Sequence, residues 1–398
     1  MTTLFLIRHA QAEGNLYRIA QGQFDSYITA LGYKQIDALA ERFKNVHLDA
    51  LYSSDLRRTR TTATAITRYH DLEMHTTPRL REICLGVCEG MSFGDMRKYD
   101  PVQMDYFNND PEKWRCEGAE TFNECTQRLM SVITEIAEAN DGKTVAVVSH
   151  GMAIRSVLAR IMGVKSEDIA DLPHGDNTAV TLLHYDGGRF TVEYYNDNSH
   201  LTPELSTLAK QTWWRKDTGG RDDNNFSYAP LSPRENPEIY LDFYRQSWLA
   251  AHGNLDFFSA DWYLTAAKRH FDREPDSIVG VYRVDELIGV VELDTHKGAH
   301  AGYGWISLIC LKPEYRRHGY GIQPLGYAIT KFQRLGFRSV RLHVSSKNTA
   351  AVRFYESYGF EKLNEEAGAG APLYLMEKKF KCCLLYTSPS PRDMRRSR

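Results

Sequence analysis

An apolar run, Leu4-Phe5-Leu6-Ile7, leads directly into Arg8-His9-Ala10. A short apolar run of this kind reads as a buried strand. A cation and an imidazole therefore stand together at a strand's C-terminal end, where open α/β sheets hold their ligands. Four further places join them: Asn15; Arg58 in Ser54-Asp55-Leu56-Arg57-Arg58-Thr59; Glu82 in Arg79-Leu80-Arg81-Glu82; and His150-Gly151, which closes a second run, Val145-Ala146-Val147-Val148-Ser149. These residue types suit phosphoryl chemistry. A phosphate dianion calls for cations that keep their charge and grip two oxygens at once, which favours Arg8 and Arg58 over lysine. Attack on phosphorus calls for a nucleophile that is unprotonated near neutral pH, and imidazole's ordinary pKa allows this. His9 would accept the phosphoryl group, while His150 would hydrogen-bond its equatorial oxygens during in-line transfer. Glu82, its pKa raised by burial or by substrate charge, would protonate the leaving alkoxide and later activate water. Each residue also has a plainer reading. Arg58 could be one more solvated arginine beside Arg57 and Arg60, Glu89 competes with Glu82 for the acid role, and Asn15 could simply cap a turn.

The order and spacing of these segments, RHxxxxxN, SxLxRxxxTA, RLxE and a strand ending in SHG, resemble the histidine phosphatase superfamily, with its phosphoglycerate mutase-like fold. The resemblance covers about the first half of the chain. It decides for Arg58 over the solvated reading. It implies catalytic roles for Arg8, His9, Arg58, Glu82 and His150, phosphate contacts from Arg8, Asn15, Arg58, His150 and Gly151, and no metal. Ala10, Ala12 and Thr59 depart from the usual pattern, but none of them removes a charged group.

The elements that must position these groups read as a doubly wound, mostly parallel sheet. Strand candidates are residues 3–8, 49–53, 144–149, 179–184 and 190–195. Amphipathic helices between them include residues 31–43, where Leu31, Ile36, Leu39, Ala40 and Phe43 recur at helical spacing, and a helix from Leu56 to about Tyr69. Such alternation predicts a sheet covered on both faces. The polar, aromatic, weakly periodic residues 91–120 are expected to form a lid over the pocket. Residues 210–236 read as a connector, made semi-rigid by Trp213 and Trp214.

The second half carries Arg316-Arg317-His318-Gly319-Tyr320-Gly321 between a strand-like run, residues 305–311, and a helical stretch ending near Leu335. In that context backbone N–H groups and a helix N-terminus bind a pyrophosphate. Downstream stands Asn348-Thr349-Ala350-Ala351-Val352-Arg353-Phe354-Tyr355-Glu356-Ser357-Tyr358-Gly359-Phe360. RxxGxG followed by NxxAxxxYxxxGF closely resembles the GNAT N-acetyltransferase superfamily, a mixed-sheet α/β domain, over about residues 239–380. The resemblance implies acetyl-CoA as cofactor, with its diphosphate on the backbone from Arg316 and Arg317 through His318, Gly319, Tyr320 and Gly321 to Ile322. Pantetheine would run beside the strand of Leu308, Ile309 and Leu311. Tyr355 matches the family's proton donor and Asn348 a cofactor-contacting position. Glu292 is a candidate base, with an outward-facing carboxylate as the alternative. Tyr355 has core packing as its alternative.

A net charge of −2 gives no sign of nucleic-acid or anionic-membrane partners, and small-molecule phosphomonoester and amine substrates are expected in a cytoplasmic setting. No signal peptide or membrane span is read. The 7 cysteines lack framework or zinc spacing, and Cys84, Cys88, Cys116 and Cys125 are expected to be reduced. Residues 383–393 resemble a translated sequencing adapter, so 382–398 are expected to be an artefactual disordered tail. The expected organisation is a phosphatase domain at 1–205, a connector at 206–237 and an acetyltransferase domain at 238–381. The expected function is metal-independent phosphomonoester hydrolysis joined to acetyl-CoA-dependent N-acetyl transfer. The alternatives are a mutase that returns the phosphoryl group to a second hydroxyl, or a phosphatase regulated by a non-catalytic acyl-CoA-binding module.

Overall fold

Leu4, Leu6 and Ile7 are buried in β1 (Thr2–Arg8), near the middle of a sheet covered on both faces. In the computed structural model, which describes residues 1–210, 224–368 and 370–380, the chain continues through α1 (Glu13–Tyr17), α2 (Ala30–Phe43), β2 (Ala50–Ser54), α3 (Arg57–Thr67), β3 (Met74–Thr77), α4 (Phe93–Tyr99), α5 (Pro101–Asn109) and α6 (Phe122–Ala139). It then forms β4 (Thr144–Ser149), α7 (Gly151–Met162), β5 (Val180–Asp186), β6 (Arg189–Asp197) and α8 (Thr207–Lys210). The strand order is β3-β2-β4-β1-β5-β6. The first four strands run parallel, and β5 and β6 add an antiparallel edge. Side chains of β1 and β4 alternate between two cores. Leu4, Leu6, Val145 and Val147 pack against Leu129 and Ile133 of α6 and Val157 of α7. Ile7, Ala146 and Val148 pack against Ile36 and Leu39 of α2 and Ala63 and Ile66 of α3. Because period-2 alternation assigns each side chain a face, the parallel register Arg8↔Ser149 brings His9 and His150 off adjacent strand ends at one level.

The second sheet is built from β7 (Phe226–Pro230), β8 (Ile278–Arg283), β9 (Glu286–Asp294), β10 (Tyr303–Leu311), β11 (Ser339–Ser345), β12 (Glu361–Glu366) and β13 (Leu373–Lys379), in the order β12-β13-β11-β10-β9-β8-β7. Its helices are α9 (Pro237–His252), α10 (Ala260–Arg273), α11 (Ile322–Arg334) and α12 (Thr349–Ser357). One irregularity shapes this sheet. β10 pairs with parallel β11 only from Tyr303 to Ile306, and its register against β9 shifts between Ile306 and Leu308, the mark of a β-bulge. Beyond it β10 stays on β9 as far as Leu311 while β11 stays on β13. The two central strands therefore part.

Two expectations are corrected. β3 lies outside the expected strands because Met74-His75-Thr76-Thr77 is half exposed at the sheet edge and carries little apolar signal. The expected connector is also shorter. Asp176 accepts the Thr207 and Leu208 amides, which holds α8 to the first unit, and Phe226–Pro230 is a strand paired antiparallel to β8, with Phe226 fully buried. Pro230 sits at the free edge, where a missing N–H costs no ladder bond. By contact, residues 1–91 and 96–210 form one unit, and 92–95 with 224–380 form another. The residues expected to be a lid include the two helices α4 and α5. Trp213, Trp214 and the adapter-like segment lie outside the described residues. Cys84, Cys88, Cys116, Cys125 and Cys310 are free thiols. No helix among the described residues is long and apolar enough to cross a membrane.

Candidate active sites

His9 leaves β1 with its Nδ1 2.8 Å from the Ala10 carbonyl. A carbonyl oxygen only accepts, so Nδ1 carries the proton and Nε2 holds the lone pair. The ring sits 5.3 Å, centroid to centroid, from His150. Arg58, in the first turn of α3 and wholly buried, donates Nε to His150 Nδ1 at 3.2 Å, which places the His150 proton on Nε2. Arg58 is held by carbonyls: Nη1 donates to Phe24 at 2.9 Å and Nη2 to Gly22 at 2.6 Å. Arg8 donates Nη1 to the Gly175 carbonyl and lies against Gly151, where a Cβ would stand 3.1 Å from Arg8 Nε. The glycine lets the guanidinium reach the N-terminus of α7. Arg8 Nε and His150 Nε2 are both buried and have no protein partner among the described residues. Buried donors of this kind call for an acceptor. At a helix N-terminus flanked by two arginines, an anion fits.

Glu82 reaches the same helix end. Its carboxylate accepts the Met152 amide at 3.0 Å and the Ala153 amide at 2.7 Å. Burial outweighs those amides, the Ile83 amide and the Arg58 charge, so the pKa is raised. Burial, reinforced by Arg58 and Arg8, pushes the His9 imidazole well below its ordinary value. Burial with Arg58 and His9 does the same to His150. Burial lowers Arg58 to about 10, still a cation at neutral pH. The competing acid, Glu89, accepts the amides of Gln23, Phe24 and Leu85 at 2.7, 2.8 and 2.9 Å. It is a backbone clamp behind Arg58. Asn15 takes its capping alternative in part: its Oδ1 accepts the Ala12 amide at 3.0 Å.

Sequence reasoning missed two groups. Asn177 donates to the His9 carbonyl at 2.9 Å from a loop whose Asp-Asn-Thr composition reads only as a turn. Arg128, on α6, donates to the carbonyls of Arg79 at 2.7 Å and Arg81 at 3.0 Å and makes two 2.7 Å bonds to Glu120. It holds the backbone that carries Glu82. In sequence it reads as an ordinary charged helix position. An Arg128→Met protein is expected to keep its phosphate affinity and lose about 10- to 100-fold in kcat for an alkyl phosphate, the size of effect a misplaced group produces. Steady-state kinetics with inorganic phosphate as inhibitor checks both halves.

In the second unit, none of the backbone N–H groups of residues 317–322 makes a well-formed hydrogen bond to the backbone among the described residues. Arg317 has φ 66 and Gly319 φ 78, so successive amides turn out of the loop into a nest-like concavity ahead of α11. Side chains here are occupied otherwise. Arg316 Nε donates back to the Leu311 carbonyl at 2.7 Å, Tyr320 donates to Asn224 at 3.1 Å, and Asn348 caps α12 through the Ala351 amide at 3.2 Å. The loop therefore offers backbone, while the Arg316 and Asn348 side chains are committed to the fold. Ile309 and Leu311 line the stretch of β10 that has parted from β11. Tyr355 packs on Phe354 and Phe360, and burial, with Cys310 nearby, raises its hydroxyl pKa. Glu292 faces inward: Tyr240 donates to it at 2.8 Å and His270 Nδ1 lies 3.1 Å away. The outward-facing alternative for Glu292 is overturned.

Residues 4–198 match the histidine phosphatase superfamily (branch 1), and residues 237–360 match the acetyltransferase (GNAT) family. The chain belongs to the histidine phosphatase superfamily and carries a GNAT acetyltransferase domain after it. It is 29% identical over 201 residues to "Phosphoserine phosphatase 1" of Hydrogenobacter thermophilus (strain DSM 6534 / IAM 12695 / TK-6), covering 50% of this chain and 95% of that protein. It is 32% identical over 216 residues to "Probable phosphoglycerate mutase GpmB" of Yersinia pestis (strain Pestoides F), covering 53% of this chain and 100% of that protein. The solved structure of Bacillus stearothermophilus YhfR shares 32% identity and a TM-score of 0.49, over 50% of this chain and 99% of that one.

Proposed function

We propose that the first domain hydrolyses phosphomonoesters through a phosphohistidine on His9, with no metal in the reaction. The observation that carries this reading is the pair of buried donors, Arg8 Nε and His150 Nε2, that have no partner among the described residues, beside the lone-pair nitrogen of His9. Substrate phosphate would satisfy both donors and take charge from Arg58. His9 Nε2 attacks phosphorus, the ester bond breaks, and Glu82 gives its proton to the departing alkoxide. The resulting carboxylate then takes a proton from water as that water attacks the phosphohistidine. Asn15 and Gly151 complete the phosphate cradle in this reading. Phosphate release in chelator from a panel that includes phosphoserine and 3-phosphoglycerate tests it. Isomerisation of 3-phosphoglycerate without phosphate release would instead establish the mutase reading that the GpmB relative represents.

We infer that the second domain acetylates an amine. The nest at 317–322 and the parted strands β10 and β11 fit acetyl-CoA, which would supply an activated acyl thioester. Residues 317–322 would hold its diphosphate through their amides, and β10 at Leu308, Ile309 and Leu311 would align its arm. Tyr355, kept protonated by burial, would give a proton to the departing thiolate, and Glu292 would accept one from the amine. Tyr355→Phe is expected to lower kcat for acetyl transfer by about 10²-fold while leaving acetyl-CoA affinity unchanged, measured by thiol release and by calorimetry. Full binding with no transfer by the unmodified chain to any amine would favour a regulatory module.

A further inference from the structure

We propose that Cys88 and Cys116 form a reversible dithiol–disulfide pair, a modification site that ties the end of the α4–α5 segment to the turn carrying Glu89. Their Sγ atoms are 3.0 Å apart, already within contact for two sulfurs. They approach at the end of a short antiparallel scaffold held by hydrogen bonds. Val87 N donates to the Glu117 carbonyl at 2.9 Å, Glu120 N donates to the Cys84 carbonyl at 3.0 Å, and Leu85 bridges Ala119. A disulfide of about 2.05 Å asks the two chains to close by roughly 1 Å.

The remaining described cysteines are placed differently. Cys125 is buried beside Arg128, Cys84 donates to the Gly118 carbonyl, and Cys310 lies in the other unit. The pair is also asymmetric. Cys88 is the buried residue that ends the turn Gly86–Cys88, whereas Cys116 is half exposed. Burial, with Cys116, Glu89 and Asp100 close by, pushes the Cys88 thiol up to about 12, so Cys116 is the sulfur an oxidant reaches first.

With hydrogen peroxide as oxidant, the Cys116 thiolate attacks one peroxide oxygen. The O–O bond breaks, Cys116 sulfenic acid forms, and the departing hydroxide takes up the proton that the Cys116 thiol gave up and leaves as water. The Cys88 sulfur then attacks the Cys116 sulfur, the S–O bond breaks, and the hydroxyl leaves with the Cys88 proton as a second water. Two thiols have lost two electrons and two protons, and one peroxide has become two waters. Exchange with a small dithiol reverses the bond. The site matters to the fold because Glu89, next in sequence to Cys88, clamps the amides of Gln23 and Phe24, and the carbonyls of Gly22 and Phe24 hold Arg58.

The test treats the full chain with hydrogen peroxide, blocks free thiols with N-ethylmaleimide and digests it without reductant for mass spectrometry. The proposal expects one linked peptide pair, Cys88 with Cys116, that disappears on reduction and is absent from Cys116→Ser. It also expects a Tm that rises on oxidation in the unmodified protein and not in Cys116→Ser. That variant is the control of choice because its position is half exposed, whereas changing buried Cys88 risks the fold. Both cysteines remaining open to N-ethylmaleimide in peroxide-treated, folded protein would overturn the proposal. Conversion of Cys116 to sulfinic acid with no crosslink would overturn it equally.

Discussion

Replacing His9 by alanine is expected to lower phosphate release by about 10⁴-fold or more, the scale seen when a covalent nucleophile is removed. The reason lies in how the ring is held. Its Nδ1 is committed to the Ala10 carbonyl, and burial, with the charges of Arg58 and Arg8, disfavours the protonated form. His9 therefore presents an unprotonated Nε2 across the whole neutral range, ready to attack. His150 cannot take over, because its Nδ1 accepts from Arg58 and its Nε2 carries a proton. Removing the His9 ring leaves Arg8, Arg58 and His150 in place, so inorganic phosphate should still bind. Phosphate inhibition measured beside turnover separates the two effects. Turnover near the unmodified rate in His9→Ala would mean that another group is the acceptor.

Glu82→Gln has the second largest expected effect, and the effect depends on the leaving group. For an alkyl phosphate the alkoxide needs a proton, so the loss is about 10²- to 10⁴-fold, the range of a positioned general acid. For p-nitrophenyl phosphate the phenolate leaves unaided and the phosphoenzyme forms, but no carboxylate remains to activate water. A burst of nitrophenol close to one per active site, followed by slow turnover, is the expected trace. The pH dependence follows from the two shifted groups. Glu82 must be protonated in the first step, and its pKa is raised. kcat/KM for an alkyl ester therefore falls as pH rises through that raised value, above the ordinary carboxylate range. His9 must be unprotonated, and its pKa is lowered, so the acid limb lies below the ordinary imidazole range. Glu82→Gln should lose the alkaline limb and keep the acid one. A variant with no burst and an unchanged alkaline limb would remove Glu82 from the mechanism.

The parts of this site legible in sequence are those whose chemistry and strand context coincide. Arg8-His9 and His150-Gly151 each follow an apolar run, so both the strand and the position at its end could be read from pattern. Glu82 against Glu89 could not be decided that way, because both are single carboxylates in short segments without helix or strand periodicity. Only the fold shows Glu82 on the N-terminus of α7 and Glu89 on three loop amides. Arg128 stayed hidden because carbonyl contacts to residues far away in sequence leave no periodic trace. β7 was lost inside a connector because the polar run Arg221-Asp222-Asp223-Asn224-Asn225 and the prolines Pro230 and Pro233 outweighed the buried Phe226. The parting of β10 from β11 depends on a register shift at 306–308, which no side-chain pattern announces.

The central claim is that the phosphoryl group passes through His9. The direct measurement is rapid quenching of Glu82→Gln during turnover of p-nitrophenyl phosphate, with alkaline work-up and peptide mapping by mass spectrometry. The account predicts a phosphoryl group on the peptide carrying His9, stable in alkali, released in acid, and formed at the rate of the nitrophenol burst. Phosphate release that proceeds with His9 unmodified at every time point, or a phosphoryl group on any other residue, would contradict it.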